Sequence, residues 1–352
     1  MAGSLGIGMI GSGFMGLSYS QCVVAHVEGA HLVSITGGSR AGALAEQHSV
    51  PADDSVEAMV ARPEIDAVIV ATPDQCRLEI TEKVAAAGKH LLVEKPMAPT
   101  VAECDQMIQL CDQAGVSLGV VKTERFRTIT RKAKALIDEG ALGPIRMMRT
   151  LSAFPISLTR EVFAERQWMY DPASGGLFMG MASHNTDFLR WLCGKNVEKV
   201  FAQVNTFSDI NSPAQSVMAQ LQFEDGIMAQ MWTTSELPDP SIPDSEVRFE
   251  IVGRDAILDL ENFNFLRMGK GDCWEDIFIP EKFDWANDPK NPVRLEPHYR
   301  VIQGFVDSIL EERPQTIGGA EGRAAVEICE ACLRSAETGM AIELPLAGSQ
   351  ER

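Results

Sequence analysis

The chain has 352 residues and a mass of 38.4 kDa, more than one hydrophobic core usually supports, so about two domains are expected. Hydrophobic residues make up 45% and charged residues 23%, which excludes a disordered or fibrous protein. The formal net charge of −18 disfavours nucleic acid and anionic membrane surfaces as partners and favours a small molecule.

The first third of the chain alternates short apolar runs with helical segments. The runs are apolar at successive positions, as in strands buried on both faces, and cover 5–10, 31–36, 66–71, 90–93 and 116–121. Helices are predicted between them, including 78–87 and 101–114, which end at Gly88 and Gly115. This alternation predicts an α/β domain with a doubly wound parallel sheet over residues 1–122.

Beyond residue 122 the pattern changes to longer segments with a period of two. These segments are 145–152, 197–206, 216–223, 227–234, 247–252 and 256–260. Helices are predicted at 129–139, 185–192, 299–311 and 320–338. The order predicts a second, α+β domain over residues 123–352, with an open, mostly antiparallel sheet and helices on one side.

Cysteine usage and the apolar runs bear on the compartment. No apolar run approaches the ~18 residues of a membrane span, and residues 1–10 are predicted to form a first strand and not a signal peptide. The eight cysteines include one C-x-x-C pair, Cys329 and Cys332, without a second pair at zinc-binding spacing. We expect structural thiols, no metal and a cytoplasmic location.

A glycine-rich loop follows the first predicted strand and precedes an apolar helix. Its G-x-G-x-x-G pattern consists of Gly11, Gly13 and Gly16, with Phe14 and Met15 before the last glycine. Gly11 permits a tight turn, Gly13 lets a pyrophosphate approach the backbone, and Gly16 allows close packing of helix on strand. The helix N-terminus offers unpaired N–H groups to an anion. These residues predict a dinucleotide-binding site.

The end of the second predicted strand bears on the choice between NAD and NADP. An NAD-binding domain usually has an acidic residue there, which binds the ribose hydroxyls, but this chain has Gly37. Ser39 and Arg40 follow, and their side chains suit a 2′-phosphate. The alternative is that Arg40 stacks on the adenine or faces solvent. The sequence slightly favours NADP and leaves the choice open.

Two further motifs identify a family. Thr72 and Pro73 follow the third predicted strand, and Glu94, Lys95 and Pro96 follow the fourth. Together with the glycine loop, these motifs resemble the glucose–fructose oxidoreductase / inositol dehydrogenase / MocA family, written Gfo/Idh/MocA. The resemblance continues through 124–126, 175–191 and 335–345. It implies that both motifs lie at the cofactor, that Glu94 supports the cofactor side, and that Lys95 orients the substrate hydroxyl and helps its proton leave.

The resemblance also implies a catalytic histidine. His184 matches the family's general base, which takes the hydroxyl proton as hydride passes to the nicotinamide. Ser183 is predicted as the N-cap of a helix running to Leu192, which places His184 in the first turn. The positive end of that helix would favour the neutral imidazole that a general base needs.

The chain departs from the family pattern four residues before this histidine. Many members have an aspartate there, whereas this chain has Gly180. Asp171 and Asp187 are weak substitutes, and Asn185 is a candidate hydrogen-bond donor to substrate. The remaining candidate substrate contacts are Lys122, Arg125 and Trp168, each of which has an equally plain structural explanation.

The expected function is an NAD(P)-dependent oxidoreductase acting on a secondary hydroxyl or keto carbon of a sugar, cyclitol or glycoside. A glycoside 3-dehydrogenase, a simple sugar or cyclitol dehydrogenase, and a variant that keeps its nicotinamide bound and passes hydride between two sugars all stay open. The alternative from another class is a non-catalytic dinucleotide-binding regulator or assembly subunit, which the loss of the aspartate motivates. By resemblance, a homodimer or homotetramer is expected.

Overall fold

The computed structural model describes residues 3–165, 167–171, 173–210, 214–284, 288 and 290–346. The chain folds into two compact units, each built from two stretches. Unit 1 is drawn from residues 1–126 and 283–323, and unit 2 from residues 127–282 and 324–352. No helix in the described part of the chain is both long enough and apolar enough to cross a membrane.

The elements are numbered in chain order. The strands are β1 (Leu5–Ile10), β2 (Ala30–Thr36), β3 (Ala67–Val70), β4 (His90–Val93), β5 (Leu118–Val120), β6 (Ile145–Pro155), β7 (Val197–Asn205), β8 (Ser216–Phe223), β9 (Met228–Leu237), β10 (Arg248–Gly253), β11 (Ile257–Glu261), β12 (Phe265–Lys270), β13 (Cys273–Phe278) and β14 (Ile342–Glu343). The helices are α1 (Phe14–Ala25), α2 (Ala41–His48), α3 (Val56–Val60), α4 (Arg77–Ala86), α5 (Val101–Ala114), α6 (Thr128–Asp138), α7 (Ile156–Glu165), α8 (Gly176–Cys193), α9 (Pro292–Leu310) and α10 (Gly319–Thr338).

Unit 1 contains a parallel sheet with the strand order β2-β1-β3-β4-β5. An isolated parallel bridge between Ile35 and Ala52 extends it beyond β2. The central strands are apolar at successive positions because helices cover both faces. The carboxyl ends of parallel strands share one edge of a sheet, so the loops after β1, β3 and β4 lie along the same edge.

Helix α9 belongs to unit 1 although it lies far along the chain. Its residues Leu295, Ile302 and Phe305 pack in one buried cluster with Tyr19 and Cys22 of α1. This packing explains why residues 283–323 group with the N-terminal sheet. The expected second domain covered the whole of 123–352, because apolar periodicity predicts a helix but not the surface on which it packs.

Unit 2 contains a sheet with the order β13-β12-β11-β10-β6-β9-β8-β7-β14. The pair β6–β9 is parallel, and the other neighbours are antiparallel. Buried and exposed residues alternate along β8, as expected when only one face is covered. Helix α8 packs on β6 and β9 from the buried face. The predicted fold class, a parallel α/β sheet followed by a mostly antiparallel one, is confirmed.

Candidate functional site

The glycine loop connects β1 to α1, and steric limits account for two of its glycines. Gly11 has φ +111°, and a Cβ there would lie 2.5 Å from the carbonyl oxygen of Ala71. A Cβ on Gly16 would lie 2.0 Å from the carbonyl oxygen of Gly11. Substitution of Gly11 would therefore push the loop away from the end of β3, and substitution of Gly16 would push α1 away from the loop.

Gly13 has a different environment, since no residue that the structure describes packs closely against it. A Cβ at this position would meet only Nη2 of Arg40, at 3.9 Å. Gly13 is also the N-cap of α1, whose first turn has no acidic residue and begins with Phe14 and Met15. The open backbone at Gly13 and the N–H groups at the N-terminus of α1 fit the pyrophosphate of a dinucleotide.

The end of β2 brings a cation to this loop. Gly37 and Gly38 both have φ +81°, and a Cβ on Gly38 would lie 2.6 Å from Ser12 Oγ. Ser39 and Arg40 follow and are exposed, with the guanidinium of Arg40 beside Gly13. The cation predicted from the sequence to meet the cofactor therefore lies against the loop.

The loops after β3 and β4 carry the two other motifs. Thr72 and Pro73 follow β3, and Glu94, Lys95 and Pro96 follow β4. Glu94 is only 6% exposed, and its Oε2 accepts the main-chain N–H of Lys95 at 2.7 Å. Lys95 itself is half-buried. The structure thus places Lys95 at the carboxyl edge of the parallel sheet, next to a buried carboxylate.

Two buried residues of this region are not predictable from the sequence. The hydroxyl of Tyr19, on α1, donates to Glu94 Oε1, and Arg77 bonds to main-chain carbonyls of both strand-end loops. Burial and the neighbouring Glu94 raise the pKa of Tyr19 well above its ordinary value, so the phenol stays protonated. No sequence signal distinguished Arg77, because an arginine in the first turn of a helix usually faces solvent.

His184 lies in the middle of α8, not in its first turn. The helix begins at Gly176 with Gly175 as its N-cap, so the prediction that Ser183 caps it is wrong. Buried Phe178 and Met179 pack this early part of the helix, and their burial outweighs the low helix propensity of its glycines. His184 is therefore about two turns from either end of α8, beyond the reach of the helix dipole.

The surroundings of His184 on α8 are open on one side. Nδ1 of His184 is buried, although the residue as a whole is half-exposed. Gly180, one turn earlier, would have no atom within 4 Å of an added Cβ. Asn185 points away into the core, where its amide bonds to Ser152 Oγ at 2.9 Å. Asp187 is also buried, with 1% of its surface exposed.

The other predicted substrate contacts occupy different environments. Lys122 is 1% exposed, and Arg125 forms an ion pair with Glu321, both within unit 1. Trp168 of unit 2 lies in a 3₁₀ turn and is 36% exposed. Of the three, Trp168 has the most accessible side chain. Among the described residues no cluster of three or more His, Cys, Asp or Glu side chains is arranged to hold a metal ion.

These features define the class: a two-unit α/β protein with a dinucleotide-binding glycine loop and a lysine at the same sheet edge. Comparison with known families agrees. Residues 5–122 match the family described as "Oxidoreductase family, NAD-binding Rossmann fold", and residues 130–259 match the "GFO/IDH/MocA C-terminal domain". The chain belongs to the Gfo/Idh/MocA family of oxidoreductases, so the resemblance inferred from its motifs is confirmed.

Individual relatives match the chain along nearly its full length. Inositol 2-dehydrogenase 2 of Saccharopolyspora erythraea is 25% identical, over 98% of this chain and 96% of its own. The crystal structure of the WlbA dehydrogenase from Bordetella pertussis, in complex with NADH and UDP-GlcNAcA, has a TM-score of 0.82 and 26% identity, and the match covers 98% of this chain and 99% of that one. That of aldose-aldose oxidoreductase from Caulobacter crescentus has a TM-score of 0.83 and 24% identity, with coverage of 97% and 100%.

Proposed function

We propose that the protein catalyses hydride transfer between a nicotinamide dinucleotide and a secondary hydroxyl or keto carbon of a sugar, cyclitol or glycoside. The observation that carries the proposal is the position of Lys95. The chain belongs to an oxidoreductase family, and Lys95 lies at the sheet edge that also holds the glycine loop. Its main-chain N–H donates a hydrogen bond to the buried carboxylate of Glu94. The inositol dehydrogenase and the WlbA complex, both acting on or binding polyhydroxylated rings by their descriptions, support the substrate class.

The proposed roles divide the handling of one proton between two residues. The nicotinamide, when bound, supplies the group that accepts or gives the hydride. The ammonium of Lys95 donates a hydrogen bond to the substrate oxygen and favours loss of its proton. His184 takes that proton at Nε2, since Nδ1 is buried. Gly180 provides no carboxylate to orient the imidazole, so this chain lacks the aspartate–histidine pair of many sugar dehydrogenases.

The test is a screen of sugars, cyclitols and glycosides with NAD and with NADP, read by nicotinamide absorbance, followed by Lys95→Met. We expect the wild type to reduce the cofactor with at least one polyol and Lys95→Met to lose most turnover while its cofactor affinity changes little. Unchanged turnover in the variant would refute the role of Lys95. Nicotinamide that stays with the protein through purification would favour the sugar-to-sugar variant of the reaction.

We also propose a modest preference for NADP. Two groups favour binding of a 2′-phosphate: the guanidinium of Arg40, which lies beside Gly13, and the exposed side chain of Ser39. Positions 36–40 also contain no acidic residue that would repel the phosphate. Arg40→Gln should weaken NADP binding by about tenfold, the cost of one charge-assisted contact, and leave NAD nearly unaffected. Equal or tighter binding of NAD by the wild type would defeat this preference.

A non-catalytic dinucleotide-binding regulator is the second candidate, and Gly180 is the observation that favours it. The lost carboxylate is what a decayed enzyme would show, but the chain retains both Lys95 and His184. Reduction of either cofactor by any polyol would exclude this candidate.

We further propose that the protein is a homo-oligomer and resides in the cytoplasm. The face of the unit 2 sheet opposite α8 carries large apolar side chains that are 41% to 57% exposed: Met147, Phe201, Met218 and Met228. Met147 and Met228 are direct neighbours across β6 and β9, and Met218 lies opposite Trp232 across β8 and β9, with Gln220 and Gln230 between the two pairs. Exposed apolar side chains grouped on one sheet face are typical of a protein–protein contact. A second copy of the chain is the proposed partner for this face. The eight free cysteines support a reducing compartment.

A further inference from the structure

Buried side chains of unit 1 hold the main chain at the residues on both sides of Lys95. The carbonyl oxygen of Glu94 accepts a hydrogen bond from Arg77 Nη1 at 2.7 Å, and the carbonyl oxygen of Pro96 accepts from the same nitrogen. Between them, the N–H of Lys95 donates to Glu94 Oε2 at 2.7 Å. The peptide unit that precedes Lys95 and the carbonyl group of the residue that follows it are therefore both held in place.

The same guanidinium also holds the loop after β3. Arg77 Nη2 and Nε donate to the carbonyl oxygen of Thr72 at 2.7 and 3.2 Å. One side chain thus joins the loop after β3 to the loop after β4, through carbonyls that point toward it from two directions. A planar guanidinium has fixed donors suited to this arrangement, whereas the ammonium of a lysine cannot reach all three oxygens with the same geometry.

Tyr19 completes the arrangement from the side of α1. Its hydroxyl donates to Glu94 Oε1, so both oxygens of that carboxylate accept a hydrogen bond. Tyr19 is 0%, Arg77 3% and Glu94 6% exposed. A buried polar network of this kind has few alternative arrangements, since any broken bond leaves a polar group buried and unsatisfied.

We propose that Arg77, assisted by Tyr19, is a positioning residue that sets the direction of the Lys95 side chain for catalysis. Arg77 acts on the backbone around Lys95 and does not touch the substrate. The inference rests on the proposed function, because it takes the role of Lys95 from there. It also explains why a charged side chain is kept buried at the start of α4, where a solvent-facing arginine would be the ordinary case.

The first test is Arg77→Lys, which keeps the positive charge but removes the planar set of guanidinium donors. Since a misplacement of about 1 Å can cost about 100-fold in rate, we expect kcat to fall by about 10- to 100-fold with a much smaller change in KM. In the Lys95→Met background the same substitution should have no further effect on residual turnover, because the group being positioned is gone. Arg62→Lys is the matched control, as Arg62 forms an ion pair with Asp53 elsewhere in unit 1.

A purely structural role for Arg77 gives a different result. Arg77→Lys would then lower turnover by the same factor in the wild-type and Lys95→Met backgrounds, and that outcome overturns the proposal. If Arg77→Lys does not fold, Tyr19→Phe replaces it, because this variant keeps the buried ring and removes only the hydroxyl. We expect it to lower kcat less, and again only when Lys95 is present.

Hydrogen exchange of the Lys95 amide tests the arrangement without any substrate. Exchange should be faster in Arg77→Lys and in Tyr19→Phe than in the wild type, and unchanged in Arg62→Lys. Unchanged exchange in both variants would overturn the proposal. Failure of the wild type to oxidise or reduce any sugar would instead overturn the proposed function, so the two failures are distinguishable.

Discussion

The carboxyl group of Glu261, at the end of β11, is 1% exposed and accepts N–H bonds from Val247 and Phe263 at 3.1 and 3.0 Å. Burial raises its pKa from the ordinary 4.5 to about 7; the two N–H bonds oppose this, while Glu246 and Asp244 add to it. The folded protein therefore holds a proton on this group at pH values where the unfolded chain has lost it.

This raised pKa predicts a pH-dependent stability. The contribution of protonated Glu261 is fully present below about pH 4.5 and is lost as the pH rises through about 7. A shift of this size corresponds to at most about 3 kcal/mol of unfolding free energy. In Glu261→Gln this dependence should disappear, as measured by denaturant unfolding at several pH values, whereas exposed Glu275→Gln should follow the wild type. Parallel pH profiles for the wild type and Glu261→Gln would contradict the prediction.

Gly180 allows a second prediction, for stability. It lies inside α8, its backbone does not need a positive φ, and an added Cβ has room. Gly180→Ala should raise the unfolding free energy by about 0.5–1 kcal/mol, because alanine has the higher helix propensity. Gly176→Ala is the control in the same helix and should destabilise, since Gly176 has φ +68°. A loss of stability in Gly180→Ala would show that its backbone conformation or space is needed.

Single residues differ in how far the sequence could locate them. The positions of Lys95 and of the loop glycines at strand ends were predictable, because short motifs mark them. The environment of His184 was mispredicted, since Ser183 and the nearby glycines imitate a helix start, and only the burial of Phe178 and Met179 reverses that. Arg77 was not predictable, because its partners are carbonyl groups that only the folded backbone brings together.

We expect cofactor binding to depend strongly on the junction of β1 and α1. A Cβ on Gly16 would lie 2.0 Å from the carbonyl oxygen of Gly11, so α1 must move away from the loop. Gly16→Ala should weaken cofactor binding by at least about tenfold, measured by calorimetric titration. Gly42→Ala in α2, where a Cβ meets nothing within 4 Å, should leave the affinity unchanged. Equal affinities for Gly16→Ala and the wild type would contradict this account of the junction.

Elements with strong periodicity were predicted well, and short or exposed ones were missed. Strands β1, β4 and β8 and helix α5 have the predicted bounds. Helices α2 and α3 were missed because they are short and bury few apolar residues. Most residues of strand β13 are exposed, so its sequence shows no apolar face. Its formation depends on hydrogen-bonded pairing with β12 and not on its own residue pattern.

For the molecule as a whole, the order of the two sheets along the chain was predictable from the sequence. The packing of α9 in unit 1, beside the N-terminal sheet, was not. Alternation of strands and helices predicts a parallel sheet wherever it occurs. That α9 returns to pack on α1 depends on the complementarity of Leu295, Ile302 and Phe305 with Tyr19 and Cys22, which are about 270 residues or more away along the chain. The residue pattern of α9 alone does not predict on which helix it packs.

The proposed association through the unit 2 sheet is also a property of the whole molecule. We expect light scattering with size exclusion to give a dimer or tetramer for the wild type, and Met218→Lys with Met228→Lys to give a smaller species, because lysines would have to be desolvated in the contact. Met340→Lys is the control, since Met340 is 67% exposed and lies outside this face. A monomeric wild type would refute the proposed association through the unit 2 sheet.

The proposed mechanism requires Lys95 and His184 to act on one substrate proton, and a double-mutant cycle measures this coupling directly. kcat/KM is determined for Lys95→Met, His184→Asn and the double variant with the sugar found in the screen. We predict that each single change costs about 100-fold or more and that the double change costs far less than the product of the two, because either loss disables the same proton transfer. Losses that simply multiply, or unchanged turnover in either single variant, would contradict it.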